Sequence, residues 1–176
     1  MQTVKIVVTG PFSAGKTEFI STISEIDVVS TEQKITDGAR GVKAETTVAM
    51  DFGRITVDED LVLLLFGTPG QERFNFMWDI LSEGMLGFVV LVDSACPETF
   101  REARVLVDRF RQYSPTPYVI AANKQDQEDA WPPQDLRVAL RIAQNVKVLS
   151  CVATDKESVK KVLLELLYSI RDSVPE

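Results

Sequence analysis

The chain has 176 residues, 45% apolar and 26% charged, which excludes a disordered or fibrous protein and provides for a substantial core. Its 19 basic and 26 acidic residues leave a net charge of -7, an argument against nucleic acid or an anionic membrane as the main partner. With no histidine, a histidine-based triad and a histidine-ligated metal are excluded, and two unpatterned cysteines, Cys96 and Cys151, suit a reducing compartment better than a disulfide scaffold.

The first predicted element is a strand, Thr3–Thr9, whose apolar run breaks into Gly10-Pro11-Phe12-Ser13-Ala14-Gly15-Lys16-Thr17. This is G-x-x-x-x-G-K-[ST] placed between a strand and a helix. In that setting the loop N–H groups, including those of Gly10, Ser13, Ala14 and Gly15, converge on phosphate oxygens. Lys16 neutralises the β/γ oxygens, Thr17 offers a hydroxyl to Mg²⁺, and the following helix adds its positive dipole end.

Asp27 to Glu45 then carries no sustained apolar period and reads as a long polar loop, of the kind that is usually functional when it lies inside a domain. Arg40 in this loop is expected to be a solvated side chain rather than a phosphate ligand. A strand over Val48–Val57 and a second over Leu61–Phe66 meet across Asp58-Glu59-Asp60, a hairpin turn. Phe74, Phe76, Met77 and Trp78 crowd together beyond Thr68, partly as helix packing and partly as an apolar patch for a partner. Gly87–Asp93 is a continuous apolar strand, and Pro97 opens a helix on which Phe100, Ala103, Val107 and Phe110 share a face.

The next strand, Tyr118–Ala122, ends in Asn123-Lys124-Gln125-Asp126, or N-K-x-D. A carboxylate at Asp126 can accept from both N1–H and the 2-amino group of guanine, whereas adenine offers neither donor and would leave it unpaired. Asn123 is expected to tie this loop to the phosphate loop and the Lys124 stem to cover the base plane. Trp131-Pro132-Pro133 opens another helix with Trp131 as a staple, and Lys147–Ser150 is the last strand. Thr154 and Glu157 form a capping box before an apolar stripe of Val159, Val162, Leu163, Leu166, Leu167 and Ile170. The expectation is one domain over residues 1–176: an α/β fold with a six-stranded, mostly parallel sheet, one strand antiparallel, and helices on both faces.

Taken together these motifs resemble the Ras-like small GTPase superfamily, in the G-domain form of the P-loop NTPase fold, and the resemblance spans nearly the whole chain. Thr68-Pro69-Gly70-Gln71-Glu72-Arg73-Phe74 looks like the switch II box, which implies that Gly70 donates its N–H to the γ-phosphate and Gln71 orients the attacking water. Thr47, with Thr46 as the alternative, matches the switch I threonine that holds Mg²⁺ when GTP is bound, and Asp27 to Glu45 matches switch I itself. Ser150-Cys151-Val152-Ala153 resembles the loop whose backbone N–H meets guanine O6. Two departures stand out: Gly67 occupies the place of the switch II aspartate, and Phe12 that of a small glycine beside the γ-phosphate.

The resemblance therefore implies a GTP/GDP switch with slow, Mg²⁺-dependent hydrolysis, with Lys16 and Gln71 as the catalytic pair. A nucleotide-gated binding module with negligible hydrolysis is the alternative, and a small-metabolite P-loop kinase the weaker rival. Activating and effector proteins are the expected partners, roadblock-domain proteins among them, because the T-P-G-Q box is similar to that of bacterial polarity and gliding-motility GTPases. No nucleic acid, no direct membrane anchor, a monomer and a cytoplasmic location are expected. No stretch reaches the ~18 apolar residues of a membrane span, and neither a signal peptide nor a lipidation motif is visible.

Overall fold

The computed structural model of the chain describes residues 1–37, 44–69 and 75–175. Its strands are β1 (Gln2–Thr9), β2 (Val29–Asp37), β3 (Ala44–Thr56), β4 (Leu61–Gly67), β5 (Gly87–Asp93), β6 (Tyr118–Asn123) and β7 (Val148–Ser150). The helices are α1 (Lys16–Ile23), α2 (Asn75–Ser82), α3 (Phe100–Tyr113), α4 (Pro133–Ala139) and α5 (Lys156–Ser173).

The strands form one sheet in the order β2-β3-β4-β1-β5-β6-β7. From β4 through β1, β5 and β6 to β7 every pairing is parallel, while β3 runs antiparallel to both β4 and β2. The chain thus has the α/β fold of a P-loop NTPase G-domain, with all six expected strands and a single one antiparallel to the rest. The seventh, β2, corrects the expectation of an unbroken loop from Asp27 to Glu45. Val29, Thr31, Ile35 and Thr36 are good strand formers. At the sheet edge they answer only to β3, so the apolar alternation that marks a half-buried strand is not required of them.

Alternation along β1 and β5 builds two cores. Ile6, Val8, Val89 and Leu91 point to the face covered by α1 and α5, where Phe19, Ile20, Val159, Val162 and Leu166 meet them. Val7, Phe88, Val90 and Val92 point the other way, against Trp78, Phe100, Leu106, Phe110 and Leu136 of α2, α3 and α4. The last apolar stripe is therefore core, as expected. Helix α5 is capped by Asp155 rather than Thr154: the carboxylate accepts from the Glu157 N–H at 3.2 Å. An ionised acceptor in an extended conformation is the better N-cap, and it places Glu157 too early in the helix to close a capping box.

Candidate functional site

The carboxyl ends of β1, β5, β6 and β7 bring their following loops together at one end of the sheet, where open α/β sheets bind ligands. The loop after β1 is held tightly. A Cβ on Gly10 would lie 2.4 Å from the Leu91 carbonyl oxygen, and one on Gly15 would lie 2.5 Å from Asn123 Nδ2. Gly15 also has φ 101°, a conformation that side-chain-bearing residues rarely adopt. Ser13 takes φ 64°, which turns successive peptide groups of the loop in different directions.

Lys16 Nζ donates to the carbonyl oxygens of Gly10 at 2.6 Å and Pro11 at 2.9 Å, so the ammonium lies curled inside its own loop. Burial lowers its pKa to about 8, opposed by the charges of Glu102 and Asp51. Among the described residues its hydrogen-bond partners are these two neutral carbonyls, which an incoming anion could replace. Thr17 Oγ1 donates to Asp51 Oδ2 at 2.5 Å. Phe12 is 65% exposed at the lip of the loop.

Asn123 is the hub of the site. Only 2% exposed, it donates from Nδ2 to the Ala14 carbonyl at 2.8 Å and accepts from the Ala153 N–H on Oδ1 at 2.9 Å. One side chain thereby joins the phosphate-type loop, the end of β6 and the loop after β7, as the expected tie requires. Lys124 adopts φ 63° and reaches back to Ser13 O at 3.2 Å and to Asp93 Oδ2 at 2.8 Å. Asp126 is exposed beside it. Gln125 holds the segment in place, its N–H on Cys151 O at 3.3 Å and its side-chain amide on Trp131 O at 2.8 Å.

Ser150, Cys151 and Val152 lie at the end of β7, next to the segment after β6 through the Gln125–Cys151 bond. Their N–H groups are engaged within the chain where the hydrogen bonds are resolved: Cys151 N–H donates to Ala122 O at 2.9 Å and Val152 N–H to Ser158 Oγ at 2.9 Å. Val152 could turn its N–H to a base carbonyl only by releasing the Ser158 hydroxyl. Cys151 is buried, which pushes its thiol up to about 11 and keeps it an unreactive apolar filler.

Thr46 and Thr47 lie within β3, where Thr47 is in register with Lys34 and Thr46 with Ile35. Their side chains, like Arg40, Gly70, Gln71 and Phe74, lie outside the described residues. In the apolar crowd around α2, Trp78 belongs to the core. It is 4% exposed, 5.9 Å from the Phe110 ring, and its Nε1–H donates to Pro69 O at 3.4 Å. Trp131 stands ahead of α4 and packs edge-on to Phe100 of α3 at 5.1 Å, a contact between helices rather than the expected staple within α4.

Sequence reasoning did not single out Asp51, Asp93 or Ser158. Each reaches the site through pairing across strands or between a loop and a helix. The one local signal for Asp51 is its acidic side chain in a strand otherwise written Val48-Ala49-Met50 and Phe52. Clefts elsewhere, such as one of about 570 Å³ lined by Arg111, Thr116, Asn145 and Asp172, lie at the opposite end of β6 and β7.

A family described as "Conserved hypothetical ATP binding protein" matches residues 26–173, a stretch that begins past Thr17. An uncharacterized protein of Methanocaldococcus jannaschii is 30% identical over 126 residues, 72% of this chain and 73% of its own length. ADP-ribosylation factor-like protein 3 of Saccharomyces cerevisiae is 28% identical over 90% of this chain and 81% of its own. Ras-related protein Rab-3D of Mus musculus is 28% identical over 98% and 76%, respectively. The last two stand in the Ras-, Rab- and Arf-like group that the sequence motifs resemble.

Proposed function

We propose, given that the chain belongs to the family of conserved hypothetical ATP binding proteins, that it is a nucleotide-operated switch whose nucleotide is GTP or GDP. The observation that carries this reading is the double hydrogen bond of Asn123. It sets the phosphate-type loop at a fixed distance from the Asp126 segment, as a ligand with phosphates at one end and a base at the other demands. The family description names ATP, but the chemistry of Asp126 favours guanine. Its carboxylate needs two donors on one edge of the base, and adenine has an acceptor at N1 and no 2-amino group.

In the proposed cycle Lys16 leaves the carbonyls of Gly10 and Pro11 for the β/γ-phosphate oxygens, and the loop N–H groups complete the cradle. Lys124 covers the base plane and Val152 supplies an N–H to the base carbonyl. The hydroxyl donors Thr17 and Thr47 suit Mg²⁺, a hard cation that takes oxygen ligands and keeps several waters. When bound, that ion would neutralise negative charge on the phosphates. Gln71 orients the attacking water, and Gly70 releases its N–H contact when the γ-phosphate departs, so both switch segments relax. Hydrolysis is slow without an activating protein.

Within the superfamily, Thr68-Pro69-Gly70-Gln71 without a preceding aspartate favours the bacterial polarity and gliding-motility group, with roadblock-domain proteins as activators or effectors. A cytoplasmic monomer fits this role. Among the described residues no helix is long and apolar enough to cross a membrane. The second reading, a nucleotide-gated binding module that hardly hydrolyses, is favoured by the exposed Phe12 ring at the mouth of the phosphate-type loop.

The test is competition among GTP, ATP and xanthosine triphosphate, with Asp126→Asn alongside. GTP should bind at least about a hundredfold tighter than ATP. Asp126→Asn should weaken GTP far more than xanthosine triphosphate. Equal loss of both in the variant would reject the guanine assignment. Phosphate release in a single turnover separates the switch from the binding module.

A further inference from the structure

We infer that Asp51 supplies the metal-site carboxylate that position 67 lacks, so that the acid has moved from β4 to the neighbouring strand β3. This rests on the nucleotide reading above. Asp51 and Gly67 are direct partners in the antiparallel β3–β4 register. In antiparallel strands, directly opposed residues project to the same face, with Cβ atoms about 5 Å apart. A carboxylate on either partner can therefore reach the same point beyond the sheet.

The geometry places Asp51 at that point. Its Oδ2 accepts from Thr17 Oγ1 at 2.5 Å, and Thr17 is the residue whose hydroxyl the G-x-x-x-x-G-K-[ST] motif presents to the cation. The two positions are adjacent and tightly packed. A Cβ built on Gly67 would stand 3.2 Å from Asp51 Cβ, 3.5 Å from Asp51 Oδ2 and 3.0 Å from Ile20 Cδ1. Gly67 is thus the complement of Asp51: with an acid on β3, any side chain at the register partner would crowd it.

The donor set suits the ion. Mg²⁺ is bound through one or two carboxylates together with phosphates and water, and it needs no all-protein cage. Among the described residues no cluster of three or more His, Cys, Asp or Glu is present, so a chelating site for a larger ion is not the alternative there. One consequence separates this chain from an arrangement with its acid on β4. Thr47 and Asp51 belong to a single strand, four residues apart, so a displacement of β3 moves both together.

The experiment is the dissociation rate of a fluorescent GDP followed against Mg²⁺ concentration, with EDTA as the metal-free limit. In the unaltered protein Mg²⁺ should slow release by tenfold or more, roughly the range seen for groups that tune a metal site. Asp51→Ala should abolish most of that effect while still binding GDP in EDTA, and an unchanged circular-dichroism spectrum and urea midpoint certify its fold. The exchange Asp51→Gly with Gly67→Asp should restore the Mg²⁺ response, because the acid then occupies the register partner with the Asp51 contacts removed and only the flexible end of Ile20, 3.0 Å from the added Cβ, left to shift. A full Mg²⁺ response in Asp51→Ala overturns the assignment alone. An exchange variant that binds GDP without a Mg²⁺ response also overturns it. Failure of the unaltered protein to bind GDP overturns the nucleotide reading and this inference with it.

Discussion

The ammonium of Lys124 lies 2.8 Å from Asp93 Oδ2 across the β5–β6 pairing, where Asp93 is the register partner of Asn123. Asp93 also holds the chain turn after β5 by accepting from the Ala95 N–H at 3.0 Å. One carboxylate thus orients the residue proposed to cover the base and shapes the turn beside it. Asp93→Asn should weaken GDP by about fivefold, the scale of a partly exposed ion pair worth about 1 kcal/mol. Titration calorimetry checks it. An effect as large as that of Asp126→Asn would mean that Asp93 contacts the ligand itself.

Asn123→Ala removes both bonds of the hub and leaves the Ala14 carbonyl and the Ala153 N–H without that partner. The nucleotide-free protein should lose about 2–4 kcal/mol in urea unfolding, since each stranded buried group costs about 1–3 kcal/mol. Asn123→Asp should be at least as damaging. A carboxylate can accept from Ala153 but cannot donate to Ala14 O, and it would be buried.

Lys16 ties stability to pH with a definite sign. Its pKa falls from 10.5 to about 8 on folding, chiefly through burial, so between those values the unfolded chain holds the proton and the native state does not. The penalty for burying the charge is full below pH 8 and is relieved as pH rises from 8 to 10.5. The unaltered protein, free of nucleotide, should gain stability over Lys16→Met across that interval. Parallel urea curves against pH test this, because the other titrating groups cancel in the difference. A constant difference would show that Lys16 is not desolvated in the free protein.

Phe12 is exposed at the lip of the loop, so Phe12→Gly should change unfolding free energy by no more than about 1 kcal/mol. If the ring obstructs the approach to the γ-phosphate, single-turnover hydrolysis should rise several-fold, on the order of 1 kcal/mol in barrier. An unchanged rate would show that the ring does not obstruct the γ-phosphate.

Much of this protein is legible along the chain. The apolar runs of β1, β5 and β6 and the stripe on α5 mark the parallel sheet and its cover, because a strand buried on both faces must be apolar throughout. Gly10 to Thr17 and Asn123 to Asp126 are contiguous, so their chemistry can be read before any folding is known. The edge strand β2 escaped because a strand paired on one side only need not follow an apolar pattern, and the Asp155 cap because one residue of register decides between two good capping residues. What the sequence by itself determined is the set of candidate site loops and the order of the elements that carry them. What only the tertiary structure decided is which distant residues complete those loops: Asp51 on Thr17, Asp93 on Lys124 and Ser158 on Val152. These pairs are created by strand register and helix placement, which depend on how the whole sheet packs and leave no periodic trace in the residues that meet.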